Sequence, residues 1–521
     1  MRGNLPVRVR ATLLTLALAG AATGAPADLR TVVESGRVET LRWPDVSDYR
    51  RYLDAFYAAR GDAPAWIRNG TPTAQAHTLT GLFAAANALG VRAADYDGDR
   101  WPAHLEALKR DPSPRVVAQL DVALTATLMR YISDLHIGRV SPQRVDFLLD
   151  VGPKKYDLPK LVETLVDARD LESRLETVEP PYDGYRRLRA ALGKYVQLAR
   201  EGDGPPVPAA KLVEPGQAWD GVRPLAARLT HLGDLQASVT GDVYQGALVD
   251  AVKRFQERHG LGADGRIGPA TLAALSVPLS RRAEQIRLSM ERWRWAPSTF
   301  DAPPIVVNIP EFRLRAYDTG LKVGLTMPVV VGKSYPGRKT PVFAGSMTYV
   351  VFRPYWNVPP SIAGKEIRPK MAADPGWAKR NGYEVVDGRV RQKPGDNNAL
   401  GRVKFMFPNP MNVYLHDTPS RDLFSRPRRD FSHGCIRLQD PPALAAWVLR
   451  DDPKWTRERI DQALRSGPLD AHVTLPHPIP VLLVYATAVA PEDGTVRFFE
   501  DIYGHDATLE DALAEGYPYP W

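Results

Sequence analysis

The sequence predicts a multidomain α+β protein. An all-helical N-terminal module and a small three-helix domain precede a mainly-β domain that carries a long insertion. Three observations indicate this fold class. Alanine, leucine and arginine recur at helical spacing up to about residue 201; "EGDGPPVPAA" at 201–210 has the composition of a linker; and beyond residue 303 short apolar runs alternate with turns. With 44% hydrophobic residues among 521, the chain can bury several cores.

The helical module is assigned to residues 28–205. Its segments "DYRRYLDAFYAAR", "AQAHTLTGLFAAANALG" and "VVAQLDVALTATLMRYISDLHIGRV" have apolar residues at helical spacing, and Gly61, Gly90 and Gly138 stand where these helices should end. Asp134 and His136 fall on an amphipathic helix, where an exposed or capping role is expected more often than catalysis. We therefore assign no catalytic residue to this module.

Residues 212–278 form the predicted three-helix domain. Leu248, Val252 and Phe255 share one helical stripe, and Pro269 opens a further helix after the turn "GLGADGRIG". The stretch resembles the peptidoglycan-binding type 1 domain, whose pattern is matched by Ala251, Val252, Phe255, Gln256, Gly260, Leu261, Asp264, Gly265, Ile267, Gly268, Thr271 and Leu275. Since a three-helix core needs the same apolar positions, no ligand contact is assigned here.

The mainly-β domain is assigned to residues 303–490. Strands are predicted for "PIVVNI", "FRLRAY", "LTMPVVVG", "TPVFAGSMTYVVFRP" and "NVYLH". A polar insertion occupies residues 359–401, and an insertion of this length is often a lid or binding loop, with a tolerated surface excursion as the alternative. Residues 491–521 remain as a C-terminal tail.

The first 24 residues predict a signal peptide. Arg2, Arg8 and Arg10 precede the apolar run "ATLLTLALAGAA", and small residues at 22–24 offer a cleavage site. A short anchor helix is the alternative. No later stretch approaches the roughly 20 apolar residues of a membrane helix, so we expect an exported chain without a transmembrane segment.

The net charge gives little indication of a polyanionic partner. The formal value of +8 includes the three arginines of the signal peptide, and the rest is spread along the chain. Clustered Lys/Arg runs and RNA-type aromatic motifs are lacking, which excludes a typical nucleic-acid binder. A carboxylate-bearing substrate remains compatible with this mild excess.

The single cysteine, Cys435, lies in "SHGCIRL" and cannot form an intrachain disulfide. It is a buried filler, an intermolecular link or a nucleophile. In an extended strand, His433, Cys435 and Arg437 share one face, while Ile436 and Leu438 share the other and can anchor in a core. The thiol therefore faces the polar side, which argues against a filler.

A second alternating stretch, "NVYLHD", contains His416, which stands 19 residues before the thiol. It puts Tyr414 and His416 on one face, and the intervening loop can bring the two strands side by side. A thiol of pKa about 8.5 needs a base, which His416 can supply if the Asp417 backbone or side chain orients it. Tyr414 and the backbone N–H groups of Gly434 and Cys435 could hold an oxyanion. Positive charge is expected from Arg437 and from the three arginines Arg426, Arg428 and Arg429.

An upstream histidine followed by [ST]HGC resembles the L,D-transpeptidase catalytic domain. The likeness runs from about Pro304 to Ala488 and includes "VVVGKSYPGRKTP", "YWNVPPSI" and "PGDNNALGRVKFMFPN". These stretches look like the long Gram-negative members, which have a helical scaffold module, a peptidoglycan-binding domain and a capping insertion. Arg437 stands where the signature usually has asparagine, so no family role is carried over for it.

The resemblance implies a two-step acyl transfer in the periplasm. Cys435 would attack the third residue of a tetrapeptide stem, release D-Ala, and pass the acyl group to a diaminopimelate amine, making a 3→3 cross-link. His416 would be the base, Tyr414 and the amides of Gly434 and Cys435 would stabilise charge, and the remaining site residues would shape the site or bind substrate: Ser432, His433, Arg437 and Asp417. Peptidoglycan stem peptides and glycan would be the partners, no cofactor or metal is expected, and carbapenems would acylate the thiol.

Several alternatives remain open. Water as acceptor would make an L,D-carboxypeptidase, a protein lysine would make a lipoprotein-anchoring enzyme, and loss of activity would leave a peptidoglycan-binding scaffold protein. A zinc site of His416, His433 and Cys435 lacks a second cysteine or an acidic ligand at metal spacing. A papain-like peptidase would have its cysteine before its histidine in the sequence, the reverse of the order found here.

Overall fold

The computed structural model describes residues 24–150, 154 and 157–517, in two compact units. The first unit holds the described residues up to Ala84 together with Tyr96–Arg130 and Asp157–Leu171. The second holds Ala85–Asp95, the described residues within 131–156, and the described residues from Glu172 onward. The predicted signal peptide lies outside the described residues except for Gly24. Within the described ranges, no helix has both the length and the apolar character that a bilayer span requires.

Helices dominate the described chain up to residue 205, as the sequence predicts. They are α1 (Gly24–Ser35), α2 (Arg50–Ala59), α3 (Ala74–Ala85), α4 (Trp101–Arg110), α5 (Pro114–Ile137), α6 (Leu158–Val166), α7 (Leu171–Glu176) and α8 (Asp183–Glu201), with 3₁₀ turns at Ala86–Leu89, Ala93–Tyr96 and Pro142–Val145. Gly61, Gly90 and Gly138 have φ of 63°, 76° and 88°, which are left-handed conformations that favour glycine where a helix ends.

One hairpin interrupts the helices, which the all-helical prediction missed. Strands β1 (Ile67–Arg68) and β2 (Thr71–Pro72) pair antiparallel. Asn69 and Gly70 join them with φ of 52° and 74°. Asn-Gly with two positive φ angles is the preferred two-residue hairpin turn, and this was the signal in the sequence.

The three-helix domain has the predicted helices. They are α9 (Val222–Leu232), α10 (Ala247–Arg258) and α11 (Pro269–Leu275), and α12 (Leu279–Trp293) follows them. Leu248, Val252 and Phe255 are buried in one core with Leu225 and Leu229 of α9. Pro269 opens α11, where its missing N–H costs no hydrogen bond.

Short strands make up most of the remaining chain, as predicted. They are β3 (Ile305–Asn308), β4 (Arg313–Tyr317), β5 (Val323–Gly332), β6 (Phe343–Phe352), β7 (Trp356–Asn357), β8 (Tyr383–Val386), β9 (Arg389–Gln392), β10 (Val403–Met406), β11 (Leu415–His416), β12 (Asp430–Ser432), β13 (Ile436–Leu438), β14 (Ala471–Val484), β15 (Ala488–Val489) and β16 (Arg497–Phe498). The accompanying helices are α13 (Pro360–Ile362), α14 (Arg368–Ala373), α15 (Trp377–Arg380), α16 (Pro441–Val448), α17 (Arg457–Arg465) and α18 (His505–Ala514), with 3₁₀ turns at Thr319–Leu321 and Arg421–Ser425.

Nine of these strands form one sheet in the order β12-β5-β13-β11-β10-β6-β14-β3-β4. Because β4 also pairs with β5, the sheet closes into a barrel, with β12 added at the end of β5. The barrel core is apolar, with side chains such as Val329, Val350, Leu415 and Val481 fully buried. Asp440 caps α16 by accepting the Ala443 N–H.

The insertion at 359–401 is a small structure with its own core. Strands β8 and β9 extend a sheet that begins at β7, and α13 and α14 are joined by a π-helical turn, Ala363–Ile367. Four buried side chains form this core: Val358, which directly precedes the insertion, and Ala363, Ile367 and Val390 within it. The segment after 491 also has regular structure, in β16 and α18.

Candidate active site

The two motif strands lie side by side. Strand β13 runs parallel to β11, with Leu415 opposite Ile436 and His416 opposite Arg437. The Ile436 N–H donates to the Tyr414 carbonyl, so Cys435 lies next to Tyr414. Strand alternation then puts Tyr414, His416, Cys435 and Arg437 on one face of the paired strands. The loop between the motifs thus produces the pairing that the sequence predicts.

The prediction of one continuous strand through "SHGCIRL" is wrong. β12 runs parallel to β5 and β13 runs antiparallel to it, so the chain turns between Ser432 and Ile436. Gly434 has φ of 123°, which side chains rarely permit. The Ser432 hydroxyl stabilises the turn, donating to the Cys435 carbonyl at 2.6 Å and accepting the Gly434 N–H at 3.1 Å. The predicted alternation of burial persists despite the turn.

This turn changes which groups are free to donate a hydrogen bond beside the thiol. Because the Gly434 N–H donates to the Ser432 hydroxyl, it is not free to donate to a group bound beside the thiol. Within the described chain the Cys435 N–H donates to no acceptor. The Tyr414 hydroxyl faces the sulfur, and burial raises the pKa of Tyr414 far above its usual value, so it stays protonated. The donors at hand are therefore the Cys435 N–H and the Tyr414 hydroxyl.

The thiol of Cys435 is half-buried, with its Sγ 3.7 Å from the Asn412 carbonyl oxygen. Burial raises its pKa, while hydrogen bonds from the Tyr414 N–H and hydroxyl and the Arg437 charge act in the opposite direction. Since burial prevails, the thiol is mostly protonated at neutral pH. Attack on a carbonyl then requires a base.

His416 is buried and held in one orientation. Its Nδ1 donates to the Asp417 carbonyl at 2.5 Å, which leaves Nε2 as the basic nitrogen. Burial and then the Arg437 charge lower the pKa of His416 to about 3. The imidazole is therefore neutral at physiological pH and can accept a proton. Its ring lies 5.7 Å from the Tyr414 ring, centroid to centroid.

Asp417 acts on His416 through its backbone, because its carboxylate is fully engaged elsewhere. The carboxylate accepts N–H groups from Arg402 at 2.8 Å and Thr418 at 2.7 Å, and pairs with Arg421. At Gly401 a Cβ would lie 2.3 Å from the Asp417 Cγ, so glycine is needed there. The buried carboxylate holds the carbonyl that orients His416.

Arg437 is a cation without a counter-ion among the described residues. Its side chain makes no hydrogen bond or ion pair with them, and its buried Nε has no acceptor. Burial lowers the pKa of Arg437. The other predicted cations are engaged elsewhere: Arg428 pairs with Asp430 and Glu500, while Arg429 donates to backbone carbonyls.

An Arg437→Met variant should alkylate more slowly at neutral pH, by about threefold or more. The Arg437 charge lowers the pKa of the thiol and the pKa of His416, so its removal should raise both. Both limbs of the pH profile of Cys435 alkylation by iodoacetamide should therefore move to higher pH. Arg426→Met, which removes an exposed cation of the intervening loop, should leave the profile in place. A downward shift in the Arg437 variant would contradict this electrostatic role.

Three residues that support the thiol loop or contact it were not predicted. Thr340 donates to the Gly434 carbonyl at 2.8 Å, and the Tyr503 hydroxyl accepts the Thr340 N–H at 3.1 Å. Glu366 of the insertion accepts from His433 Nε2 at 2.8 Å. Thr340 stands in the quoted "GRKTP", but no spacing connects it with the thiol; Tyr503 lies in the predicted tail. These contacts depend on tertiary structure.

The geometry gives no support to a metal site. Within 24–150, 154 and 157–517, no group of three or more His, Cys, Asp or Glu side chains could hold a metal ion. Nδ1 of His416 and Nε2 of His433 are both already hydrogen-bonded.

Three family models match the chain. Residues 51–192 match the "Scaffold domain", residues 220–275 the "Putative peptidoglycan binding domain", and residues 303–457 the "L,D-transpeptidase catalytic domain". The chain is 33% identical over 267 residues to a "Putative L,D-transpeptidase" of Haemophilus influenzae, a match that covers 46% of this chain and 52% of the relative. The chain thus spans about half the length of that curated relative.

Solved structures give a weaker likeness. The L,D-transpeptidase (residues 123–326) of Xylanimonas cellulosilytica is 18% identical with a TM-score of 0.18, covering 53% of this chain and 99% of that one. The L,D-transpeptidase of Stackebrandtia nassauensis is 15% identical with a TM-score of 0.23, covering 52% and 94%. At such scores neither structure supports a conclusion about the fold or function of this chain. The three family models show more: the chain contains a region that matches the scaffold domain, a helical region that matches the peptidoglycan-binding domain, and a β-rich L,D-transpeptidase catalytic domain.

Proposed function

We propose that the protein is a peptidoglycan L,D-transpeptidase that forms 3→3 cross-links through a thioester at Cys435. One observation carries the proposal: the only thiol of the chain shares a strand face with Tyr414, His416 and Arg437 within an L,D-transpeptidase catalytic domain. Peptidoglycan stem peptides and glycan are the proposed partners. The periplasm is the proposed location, since a wall-acting enzyme works outside the cytoplasm.

In the first step, His416 Nε2 takes the Sγ proton as the sulfur attacks the carbonyl carbon of the third stem residue. The Cys435 N–H and the Tyr414 hydroxyl donate to the oxyanion. The Gly434 N–H could add a third bond only by leaving Ser432. When the C–N bond breaks, the imidazolium protonates the departing amine of D-Ala, and the acyl group remains on sulfur as a thioester.

In the second step, the side-chain amine of diaminopimelate on another stem attacks the thioester carbonyl. His416 takes the amine proton and returns it to the leaving sulfur, which restores the thiol and leaves a new amide. Water in place of the amine would give hydrolysis. The acceptor therefore decides between a cross-linking enzyme and an L,D-carboxypeptidase.

To test the proposal, the purified mature protein is incubated with a disaccharide-tetrapeptide and the products are followed by mass spectrometry. The Cys435→Ala variant is the control. A cross-linked dimer together with released D-Ala, both absent with the variant, is the expected result. Loss of D-Ala without dimer would mean a carboxypeptidase. No turnover, with no Cys435 adduct even from a carbapenem, would overturn the proposal in favour of a binding scaffold.

A further inference from the structure

The insertion contacts the nucleophile loop through one carboxylate. Glu366 lies in the π-helical turn Ala363–Ile367, and its Oε1 accepts from His433 Nε2 at 2.8 Å and from an Arg338 guanidinium N–H at 3.0 Å. His433 stands two residues before the thiol, and Arg338 belongs to the stretch "GRKTP". π-Helical turns are frequent at functional sites.

Arg338 and His433 have the chemistry of a carboxylate-binding pair. A planar guanidinium matches a carboxylate, and an imidazole N–H adds a second donor. Both side chains are partly exposed, with exposed fractions of 22% for Arg338 and 29% for His433. A small anion can therefore reach them once Glu366 moves.

Glu366 is attached to a structure that packs on its own. The insertion has a separate core, formed around Val358, Ala363, Ile367 and Val390. The Glu366 side chain is not part of that core and remains 37% exposed. Its two hydrogen bonds to the nucleophile domain are polar and partly solvated, so they can be exchanged at modest cost.

We propose that Arg338 and His433 bind the terminal carboxylate of the donor stem peptide, and that Glu366 holds this site until the substrate displaces it. The inference rests on the proposed function, since a tetrapeptide stem ends in a free carboxylate next to the bond that breaks. When the substrate carboxylate replaces the Glu366 carboxylate, Arg338 remains in an ion pair. A donor with a neutral end would compete poorly with Glu366, so the contact selects for the charged terminus.

The first test uses small alkylating probes and needs no transpeptidase activity. Iodoacetate and iodoacetamide both transfer their CH₂ carbon to Cys435 Sγ and release iodide, but only iodoacetate carries a carboxylate. The rate ratio, iodoacetate over iodoacetamide, is measured by mass on the full mature chain. Glu366→Gln should raise this ratio by about three- to tenfold, because the cation pair becomes available to the probe.

Two controls distinguish a specific carboxylate-binding site from a general effect of protein charge on the rate ratio. Glu384→Gln removes one carboxylate of the same insertion, which pairs with Arg391 and Lys393, and should leave the ratio unchanged. Adding Arg338→Gln to Glu366→Gln should abolish the increase in the iodoacetate over iodoacetamide ratio. A ratio that is unchanged in Glu366→Gln, or a gain that survives in the double variant, overturns the proposal.

The second test uses tetrapeptides with a free or an amidated C-terminus. Glu366→Gln should lower KM for the free acid by about three- to tenfold and leave KM for the amide unchanged. Equal KM changes for both peptides would overturn the proposal while leaving the transpeptidase intact. If neither peptide acylates Cys435 but the alkylation ratio responds as expected, the carboxylate site stands and the proposed function fails.

Discussion

Acylation of Cys435 is expected to slow by about 10²- to 10⁴-fold in a His416→Ala variant. Burial keeps the thiol protonated at neutral pH, and His416 is held with Nε2 as its basic nitrogen. Without the imidazole, the attacking thiolate must form by loss of a proton to water. The rate of carbapenem or tetrapeptide adduct formation at Cys435, followed by mass under single-turnover conditions, measures the effect.

The same variant makes a further prediction for alkaline pH. As pH rises through the raised thiol pKa, thiolate forms without a base, so the deficit of the His416→Ala variant should narrow. His472→Ala is a suitable control, because His472 is an exposed histidine of the same barrel that stacks on Tyr349. A His416→Ala variant that acylates within threefold of the parent at pH 7 would exclude His416 as the base.

Local patterns predicted much of the barrel but missed its central strand. Strand β14 pairs with both β6 and β3, yet "VTLPHPIPVLLV" contains prolines at 476, 478 and 480, which argue against a central strand. The register of β14 shifts between Thr474 and Ile479, and this irregularity accommodates Pro476 and Pro478, whereas Pro480 stays in register opposite Ser346. Tertiary pairing thus overrides a local signal that is usually sound.

At the candidate site, too, local features could be predicted and tertiary contacts could not. The two facing motifs could be predicted because strand alternation and a 19-residue spacing are local properties of the sequence. The turn at Gly434 could not, since glycine is permitted in an extended strand as well as at a φ of 123°. The contact of Glu366 with His433 joins positions 67 residues apart and has no periodic signal.

The largest stability effect is expected at Glu291, a fully buried carboxylate of α12. It accepts from Arg294 at 2.7 Å, from Arg139 Nε at 3.2 Å and from the Arg139 backbone N–H, while both guanidiniums are almost completely buried. Glu291→Gln removes the charge that both arginines share. Loss of one partner from a buried ion pair costs about 3–5 kcal/mol, so the amides of α12 should exchange hydrogen about 150- to 5,000-fold faster.

Glu284→Gln on the same helix provides the matched comparison, since Glu284 pairs with Arg287 at 3.1 Å in a partly exposed position. Its cost should stay below about 1 kcal/mol. Burial alone would raise the pKa of Glu291, but Arg139 and Arg294 prevail and lower it from 4.5. The charged form therefore stabilises the fold above that pH, and this contribution is lost as pH falls through the lower folded-state pKa. The difference between the parent and Glu291→Gln should be constant near neutrality and shrink in acid; a difference that grows in acid would mean that the carboxyl is protonated in the folded protein.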